Sequence, residues 1–409
     1  MPLLNAIAQR LRRFKDALVK GIAHVIDYNN TSSVLRFRRE HTSMVLRLPH
    51  RHLTVATLFL CCCMAARAEV RQDNPAEIRG AIYVSSGAYN APQMWKNFTV
   101  TETKRDFGYA RELHLNALRV WASYEFWKSN PKVFQRELDQ MLEVAHGNGI
   151  RILLALFEND GISPTPENIA DTGPLTGLDI QSPGMDIASE QHMDAWEQPR
   201  QFVVWFMKRY GNDPRLLAIE VMNEPGKNTM PFAKSMFSTA HDMQRTVPLT
   251  FGSVGVEQAQ QFVPLGLNVI EFHDNFPASP GELADKIKTT MAYGAQVHLP
   301  VWLTEWQRVR PDGTGFKAGT KMTTEEKGPD YSTLAPTVQS FPIGNFFWSL
   351  MVKRAYLKGQ RLNGTINGLF WPDGAVTSLK DARMIARDTK LELKERPVPS
   401  EVGDAPSLQ

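Results

Sequence analysis

Short apolar runs alternate, from residue 79 onward, with segments whose apolar residues recur every three or four positions. The runs have the length and the bounding turn residues of buried strands, whereas the longer segments have the periodicity of amphipathic helices. The pattern predicts eight strands, at residues 80–84, 117–121, 150–157, 216–222, 250–253, 267–272, 299–304 and 344–348.

The segments between these strands predict crossover helices. Thr99-Val-Thr-Glu102 has the pattern of a capping box and opens a helix that continues to Leu113. Further helices are predicted at residues 131–147, 198–210, 231–246, 281–294 and 378–395. Eight strand–helix units in a chain of this length predict an α/β fold, a (β/α)8 TIM barrel formed by a single domain over residues 69–396.

An open, doubly wound sheet is the alternative arrangement of alternating strands and helices. The turn after the first strand reads Ser85-Ser86-Gly87-Ala88-Tyr89, which lacks the glycine-rich fingerprint of nucleotide-binding sheets. The barrel is therefore favoured. The long segment at 158–195, rich in Pro, Gly and acidic residues, is predicted to form a functional wall or lid.

Residues 44–68 have the organisation of a secretory signal peptide. Arg47 and Arg51 precede an apolar run at 53–66, and Ala66-Arg67-Ala68 supplies a small-x-small cleavage site. The run is too short to span a bilayer comfortably, so we expect a secreted or periplasmic protein with no stable membrane span after cleavage. All three cysteines, at 61–63, would be removed with it; a metal-binding cysteine triplet is the alternative.

Residues 1–43 form a basic leader ahead of Met44. We interpret this leader as the product of a mis-called start codon, the alternatives being an extended cytoplasmic leader or an uncleaved membrane anchor. At the other end, the polar tail at 397–409 is predicted to be flexible.

Charge is unevenly distributed along the chain. Residues 1–68 carry 11 Lys and Arg against 3 Asp and Glu, so of the total net charge of +3 the remainder carries −5. A mildly acidic body argues against nucleic acid as a partner. No His, Asp and Glu cluster has metal-ligand spacing, and no Gly-x-Ser-x-Gly motif is present, so neither a metal, a cofactor nor a serine nucleophile is predicted.

Two glutamates at strand ends carry the strongest chemical signal. Glu224 follows the predicted fourth strand and Glu305 ends the predicted seventh. Because the strand ends of such a barrel surround one mouth, the two carboxyl groups are expected to meet there. A facing pair of carboxyl groups is what hydrolysis of a glycosidic bond requires. The alternative is that each glutamate merely caps a helix N-terminus.

Asn223-Glu224-Pro225 together with Glu305 resembles the clan of retaining (β/α)8 glycoside hydrolases, and most closely the cellulases and mannanases of glycoside hydrolase family 5. The resemblance spans residues 79–390. It implies that Glu224 is the general acid/base, that Glu305 is the nucleophile, and that Asn223 binds the sugar 2-hydroxyl.

The resemblance also implies three supporting roles. Arg119 at the end of strand two would keep the nucleophile ionised, His273 after strand six would join the same network, and Trp348 ending strand eight would form the sugar platform. Sugars present apolar C–H faces to aromatic rings, so further cleft positions are predicted for Trp306 and Trp121. Glu158, at the end of strand three, is predicted to bind sugar hydroxyls, as is Asp160.

Two departures from the family pattern are visible. The family usually places a tyrosine two residues after the strand-six histidine, where this chain has Asn275, and often a histidine after strand three, where this chain has Phe157-Glu158-Asn159-Asp160. We therefore expect a retaining glycosidase acting on β-linked polysaccharides or oligosaccharides of mannan or glucan type. The alternatives are an exo-acting β-mannosidase or β-galactosidase of the same clan and a barrel that binds glycans without cleaving them.

Overall fold

The computed structural model describes residues 34–39, 42–47, 69–172, 179–310, 323–354 and 366–397. The chain divides into two units, Met1–Glu69 and Val70–Gln409. In the first, Val34–Arg39 pairs antiparallel with Thr42–Arg47. The rest of the predicted leader, nearly all of the predicted signal peptide and residues 398–409 of the predicted tail lie outside the described residues.

The second unit contains eight parallel strands, which confirm the predicted barrel. They are β1 Arg79–Ile82, β2 Ala117–Trp121, β3 Arg151–Glu158, β4 Leu216–Asn223, β5 Leu249–Gly252, β6 Ile270–Asp274, β7 Val301–Trp306 and β8 Gly344–Phe347. Neighbouring strands are hydrogen-bonded in sequence order from β1 to β5 and from β6 to β8, and β8 pairs with β1. Each strand is almost entirely buried, as expected for a parallel sheet covered by helices.

A seam between β5 and β6 completes the ring. It has one backbone hydrogen bond, from Asn268 N to Leu249 O at 3.0 Å, while Leu249 N donates to the Asn268 side chain at 2.8 Å. Thr250 Oγ1 donates to Val269 O at 3.1 Å, and Ser253 Oγ donates to Glu271 O. Side chains therefore supply much of the closure along this line.

Helices surround the strands. Their bounds are Ala91–Lys96, Val100–Glu112, Tyr124–Ser129, Pro131–Gly147, Pro166–Ala170, Met185–Ala188, Glu197–Tyr210, Met230–Asp242, Val256–Ala259, Pro280–Val297, Thr324–Lys327, Ala335–Gln339 and Leu379–Ala386, with 3-10 turns at Pro75–Glu77, Glu190–Trp196, Val263–Leu265 and Tyr331–Thr333. Short strands at Lys353–Arg354 and Ile366–Asn367 form a small antiparallel pair. No described helix combines the length and apolarity needed to cross a membrane.

Two details of the predicted helices were wrong. The last helix ends at Ala386 instead of residue 395, because Arg387 adopts a left-handed conformation with φ 54°. The predicted capping box at Thr99 is only half present. Thr99 accepts from Glu102 N, but the Glu102 carboxylate accepts instead from Gly87 N and the Ser86 hydroxyl, which ties the helix to the loop after β1.

The barrel interior is layered. Its lower part is filled by an apolar cluster comprising Ile78, Ala117, Leu153, Leu217, Ala218, Val269, Trp302 and Phe346. Above this plug the inward positions become polar, with the fully buried side chains Arg119, Glu220, Thr250, Glu271 and Thr304. The polar layer lies on the side of the carboxyl ends of the strands, where barrel enzymes carry their active sites.

Candidate active site

Glu224 and Glu305 meet at the mouth of the barrel. One oxygen of each carboxyl group and one ring nitrogen of His273 all lie within 4.8 Å of one another. Glu224 follows β4 with a left-handed backbone, φ 38°, and its N–H donates to Gly252 O at 2.9 Å. This turn directs the side chain toward β6 and β7, so two residues 81 positions apart in sequence face each other.

Arg119 on β2 organises the charges beneath this pair. Its Nη1 donates to Glu305 at 2.6 Å, its Nε and Nη2 donate to the two oxygens of Glu220 at 2.6 Å each, and Nη2 also donates to Asn223 Oδ1 at 2.7 Å. The guanidinium is completely buried. Close carboxylates raise the pKa of Arg119 despite its burial, so it remains a fixed positive charge.

Gly252 at the end of β5 permits this close packing of polar groups. A Cβ at this position would lie 2.8 Å from Asn223 Oδ1 and 3.1 Å from Arg119 Nη2, distances that real Cβ atoms rarely or never show. A glycine here therefore leaves room for Arg119 from β2 and Asn223 from β4 to meet beside the end of β5.

Burial has the largest effect on the pKa of each of the two glutamates. It raises the pKa of Glu305, and the charge of Arg119 opposes that effect. Burial also raises the pKa of Glu224, against the hydrogen bond of Asp160 and the charge of Arg119. Glu305 has the direct guanidinium contact and Glu224 does not, so Glu305 is the better placed of the two to remain ionised.

Two side chains flank Glu224. Nδ1 of His273 contacts Glu224 Oε1, and burial lowers the pKa of His273 to about 4, so the imidazole is neutral near pH 7. On the other side Asp160 shares a hydrogen bond with Glu224, which requires a proton on one of the two carboxyl groups. Burial, and then the charge of Glu224, raise the pKa of Asp160 to about 7. A proton is thus available beside Glu224 near neutral pH.

Asn275 occupies the position where the family that this chain resembles usually has tyrosine. Its side chain contacts Glu305. Its Nδ2 donates to Glu305 Oε2 at 2.8 Å, and its Oδ1 accepts from Gln307 Nε2 at 3.1 Å. Glu305 therefore receives donors on both oxygens, one from Arg119 and one from Asn275. The neutral amide replaces a phenol as donor without adding a titratable group.

Asn223 links the central pair to Glu158. Its Nδ2 lies 3.1 and 3.0 Å from the two oxygens of Glu158, and Asp160 N donates to Glu158 Oε1 at 2.7 Å. Burial, followed by the charges of Asp160 and Asp179, raises the pKa of Glu158 well above its usual value.

The tryptophans divide into two groups. Trp121 and Trp348 lie side by side with ring centroids 5.7 Å apart, and both line a small cavity that Glu158 also lines. Trp306 was predicted to line the cleft, but it is buried on the opposite side of β7 from Glu305. Its Nε1 donates to Asn345, and its ring packs against Tyr331. The twofold alternation of strand side chains explains this, because neighbours on a strand point to opposite faces.

The structure thus gathers eight of the nine predicted site residues into one network or its adjoining cavity, namely Arg119, Trp121, Glu158, Asn223, Glu224, His273, Glu305 and Trp348. Sequence reasoning missed Glu220. The available signal was a charged residue within an otherwise apolar strand, a feature that Arg119 shares. Glu271 lies in the buried layer with Glu220, where burial and the charge of Glu220 raise its pKa to about 8.

Glu224, His273 and Glu305 have the donor atoms of a metal site. The guanidinium of Arg119 already lies 2.6 Å from Glu305 and supplies a positive charge at the same oxygen to which a cation would bind. The donor set therefore fits protein-based charge compensation better than a divalent cation.

Comparison with known proteins shows the fold. No model of a known protein family and no curated protein matches the sequence. Among solved structures, an exo-β-1,4-mannosidase from Opitutaceae bacterium strain TAV5 matches with a TM-score of 0.53 at 15% identity, over 75% of this chain and 58% of that chain. The GH5_18 protein from Streptomyces cattleya, in complex with Manβ1-4GlcNAc, matches with a TM-score of 0.53 at 12% identity, over 76% and 79%.

A glycoside hydrolase family 5 mannosidase from Rhizomucor miehei matches with a TM-score of 0.51 at 13% identity, over 79% of this chain and 95% of that chain. The shared feature is the (β/α)8 barrel, so the fold implied by the family 5 resemblance is confirmed.

Proposed function

We propose that this protein is a retaining glycoside hydrolase that cleaves β-linked oligosaccharides or polysaccharides of mannan or glucan type. The observation that carries the proposal is the separation of Glu224 and Glu305, whose nearest carboxyl oxygens lie within 4.8 Å. Retaining enzymes hold their carboxyl groups about 5–5.5 Å apart, whereas inverting enzymes leave about 6.5–9.5 Å for a water molecule.

The geometry supports a double displacement. A carboxylate oxygen of Glu305 attacks the anomeric carbon, the glycosidic C–O bond breaks, and Glu224 transfers its proton to the leaving oxygen. Water then attacks the anomeric carbon of the glycosyl ester, giving its proton to Glu224, and the ester bond breaks to regenerate the Glu305 carboxylate. Net hydrolysis consumes one water molecule and returns both groups to their starting protonation states.

Each neighbouring residue supports one part of this reaction. Arg119 and Asn275 hydrogen-bond to the ionised form of Glu305, which favours the charged nucleophile. Asp160 and His273 contact Glu224, the residue that must carry a proton before the first step and receive one in the second. Asn223 is the last residue of β4, directly before Glu224, in position to bind the 2-hydroxyl.

Exo action is a second candidate, which two of the similar solved structures favour. Residues 179–182 fold back onto the end of β3, because Glu158 and Ser182 exchange backbone hydrogen bonds of 2.8 Å. Together with Ala91 and Pro92 they line the small cavity beside Trp121 and Trp348. Two of the similar solved structures are described as mannosidases.

Covalent trapping tests the proposal. Incubation with a 2-deoxy-2-fluoro glycosyl fluoride of the gluco or manno series should add one glycosyl unit to the protein, which peptide mapping should place on Glu305. The Glu305→Gln variant is the matched control and should remain unlabelled. Sugar binding without turnover or adduct formation across a panel of β-linked aryl glycosides would instead identify a glycan-binding barrel.

A further inference from the structure

The pairing of β3 with β4 brings a second carboxyl group to Glu224. The register of the two strands places Glu158 opposite Asn223. Glu224 comes directly after Asn223, and Asp160 comes two residues after Glu158, so both follow the ends of neighbouring strands. Asp160 and Glu224 share a hydrogen bond there. We refer to these two side chains as the carboxyl pair.

Asp160 is held in place by contacts with both of the neighbouring loops. Its N–H donates to Glu158 Oε1 at 2.7 Å, and its Oδ1 accepts from Asn159 Nδ2 at 3.4 Å. Asn159 Oδ1 in turn accepts from Thr229 Oγ1 at 2.7 Å, and Thr229 lies in the loop after β4, just before the helix Met230–Asp242. The loops after β3 and β4 are therefore tied together beside the carboxyl pair.

No basic side chain neutralises the carboxyl pair directly. Among the described residues, no lysine or arginine forms a salt bridge with Asp160 or Glu224. The charges of Arg119 and Lys286 act on Glu224, but both cations form their salt bridges with other carboxyl groups. Two carboxyl groups in contact do not readily ionise together, and the proton that one retains forms the hydrogen bond between them. The carboxyl pair therefore retains one proton at pH values where isolated carboxyl groups have none.

Other titratable and charged groups surround the carboxyl pair. Those that act on it, or on Glu158 beside it, are Arg119 on β2, Glu220 on β4, His273 on β6, Glu305 on β7, Lys286 on the helix Pro280–Val297 and Asp179 in the segment after β3. Burial lowers the pKa of His273 to about 4, so its ring carries no charge near pH 7. Asp160 is the acid that shares a hydrogen bond with Glu224, so its charge acts on Glu224 at the shortest range.

We propose that Asp160 is a positioning residue that keeps a proton on the carboxyl pair until the glycosidic oxygen accepts it from Glu224. The inference rests on the proposed function, in which Glu224 is the acid/base. In the first step the pair gives its one proton to the leaving oxygen through Glu224, and both carboxyl groups are then ionised. Repulsion between them makes Glu224 a stronger base, and in the second step the attacking water returns one proton to it.

The pH profile of Asp160→Asn tests this role. The substitution keeps the shape of the side chain and removes its charge, so Glu224 should lose its proton at lower pH. Phenyl β-glycosides of the gluco and manno series are suitable substrates, because their leaving group needs protonation. The basic limb of kcat/KM should move to lower pH by about one unit, which lowers kcat/KM on that limb by about tenfold.

Two further variants serve as controls. Glu167→Gln removes an exposed carboxylate from the same segment after β3, and it should leave the basic limb where it is in the wild type. Asp160→Glu retains a carboxyl group, and it should return the basic limb toward its wild-type position. Melting temperatures of the variants identify any loss that reflects unfolding, because unfolding lowers activity without moving the limb.

A second measurement follows the same proton without substrate. In carbon-13 NMR of protein labelled at its carboxyl carbons, the Glu224 signal should include a step due to the ionisation of Asp160. Asp160→Asn should remove that step and move the remaining titration of Glu224 to lower pH. Glu224→Gln identifies the signal.

The outcomes separate this inference from the proposed function. An unmoved basic limb in Asp160→Asn would overturn the inference and leave the hydrolase assignment intact. A rise in KM alone would identify Asp160 as a residue that binds a sugar hydroxyl instead. If no glycoside is hydrolysed and no adduct forms on Glu305, the proposed function itself fails, and the NMR titration still decides whether the two carboxyl groups share a proton.

Discussion

Asn275 donates its side-chain amide to Glu305 at 2.8 Å, and Gln307 fixes the orientation of that amide through a contact of 3.1 Å. The carboxylate is therefore held from two sides, by Arg119 below and by Asn275 at the mouth. The Asn275 contact involves a side chain that does not titrate, so it favours the ionised form of Glu305 at every pH.

Removal of the Asn275 amide should shift the pH profile of the enzyme. A hydrogen bond to the charged form lowers a carboxyl pKa, so its loss in Asn275→Ala should raise the pKa of Glu305. The acidic limb of kcat/KM should then move to higher pH, with a loss of about tenfold near the lower end of the profile. Gln307→Ala keeps the donor and should produce a smaller shift. An acidic limb unmoved in Asn275→Ala would contradict the role given to this contact.

Removal of the nucleophile should abolish turnover without unfolding the barrel. Glu305→Ala should lower kcat by about 10³-fold or more, as expected when an attacking group is lost. The far-ultraviolet circular dichroism spectrum should remain that of the wild type. Near-normal turnover on any substrate that the wild type hydrolyses would show that Glu305 is not the nucleophile.

Removal of the proton donor should have an effect that depends on the leaving group. Glu224→Ala should lose about 10²–10⁴-fold in kcat on glycosides with poor leaving groups, the usual contribution of general acid catalysis. Formation of the glycosyl ester from a dinitrophenyl glycoside should be nearly unaffected, because that leaving group departs without protonation. Single-turnover release of dinitrophenol measures this step. Equal losses on both substrates would remove Glu224 from the acid role.

Arg119 should also be important for stability. In Arg119→Met the buried carboxyl groups of Glu220 and Glu305 lose their positive partner, and such a loss typically costs about 3–5 kcal/mol in the free energy of unfolding. Glu220→Gln should cost less, because Arg119 retains its pairing with Glu305. Urea unfolding followed by tryptophan fluorescence would compare the two. A larger loss in the free energy of unfolding for Glu220→Gln than for Arg119→Met would contradict the role of Arg119 as the shared positive partner.

Buried carboxyl groups away from the site should make stability depend on pH. Burial raises the pKa of Glu137, on the helix Pro131–Gly147, to about 7 from 4.5. Between these pH values the folded state binds more protons at Glu137 than the unfolded chain, so its contribution to stability is present at low pH and is lost as the pH rises through 7. Glu137→Gln should reduce the loss of stability between pH 5 and 8 in urea titrations. An unchanged loss would show that Glu137 is not a source of it.

The fold and the central residues were largely predictable because both depend on local patterns. Each of the eight strands is an apolar run, and Glu224 and Glu305 stand where such runs end. Glu220 was missed because its partner, Arg119, lies 101 positions away, and only the closed barrel shows that the two charges meet. Trp306 was misplaced for a different reason. Trp306 and Glu305 are adjacent on β7, so their side chains point to opposite faces of the strand. Once Glu305 is known to face the barrel mouth, this alternation predicts that Trp306 faces away from it.

The seam between β5 and β6 runs directly beneath the acid/base. Gly252 at the end of β5 accepts from the backbone of Glu224, and His273 extends from β6 on the other side of the seam. Where side-chain contacts replace part of a backbone ladder, local opening requires less free energy than elsewhere in the wall. Amide protons along this line should therefore exchange with deuterium sooner than those of β2 to β4. Ligands that bridge Glu224 and Glu305 should slow that exchange, because they would hold the strands on the two sides of the seam together.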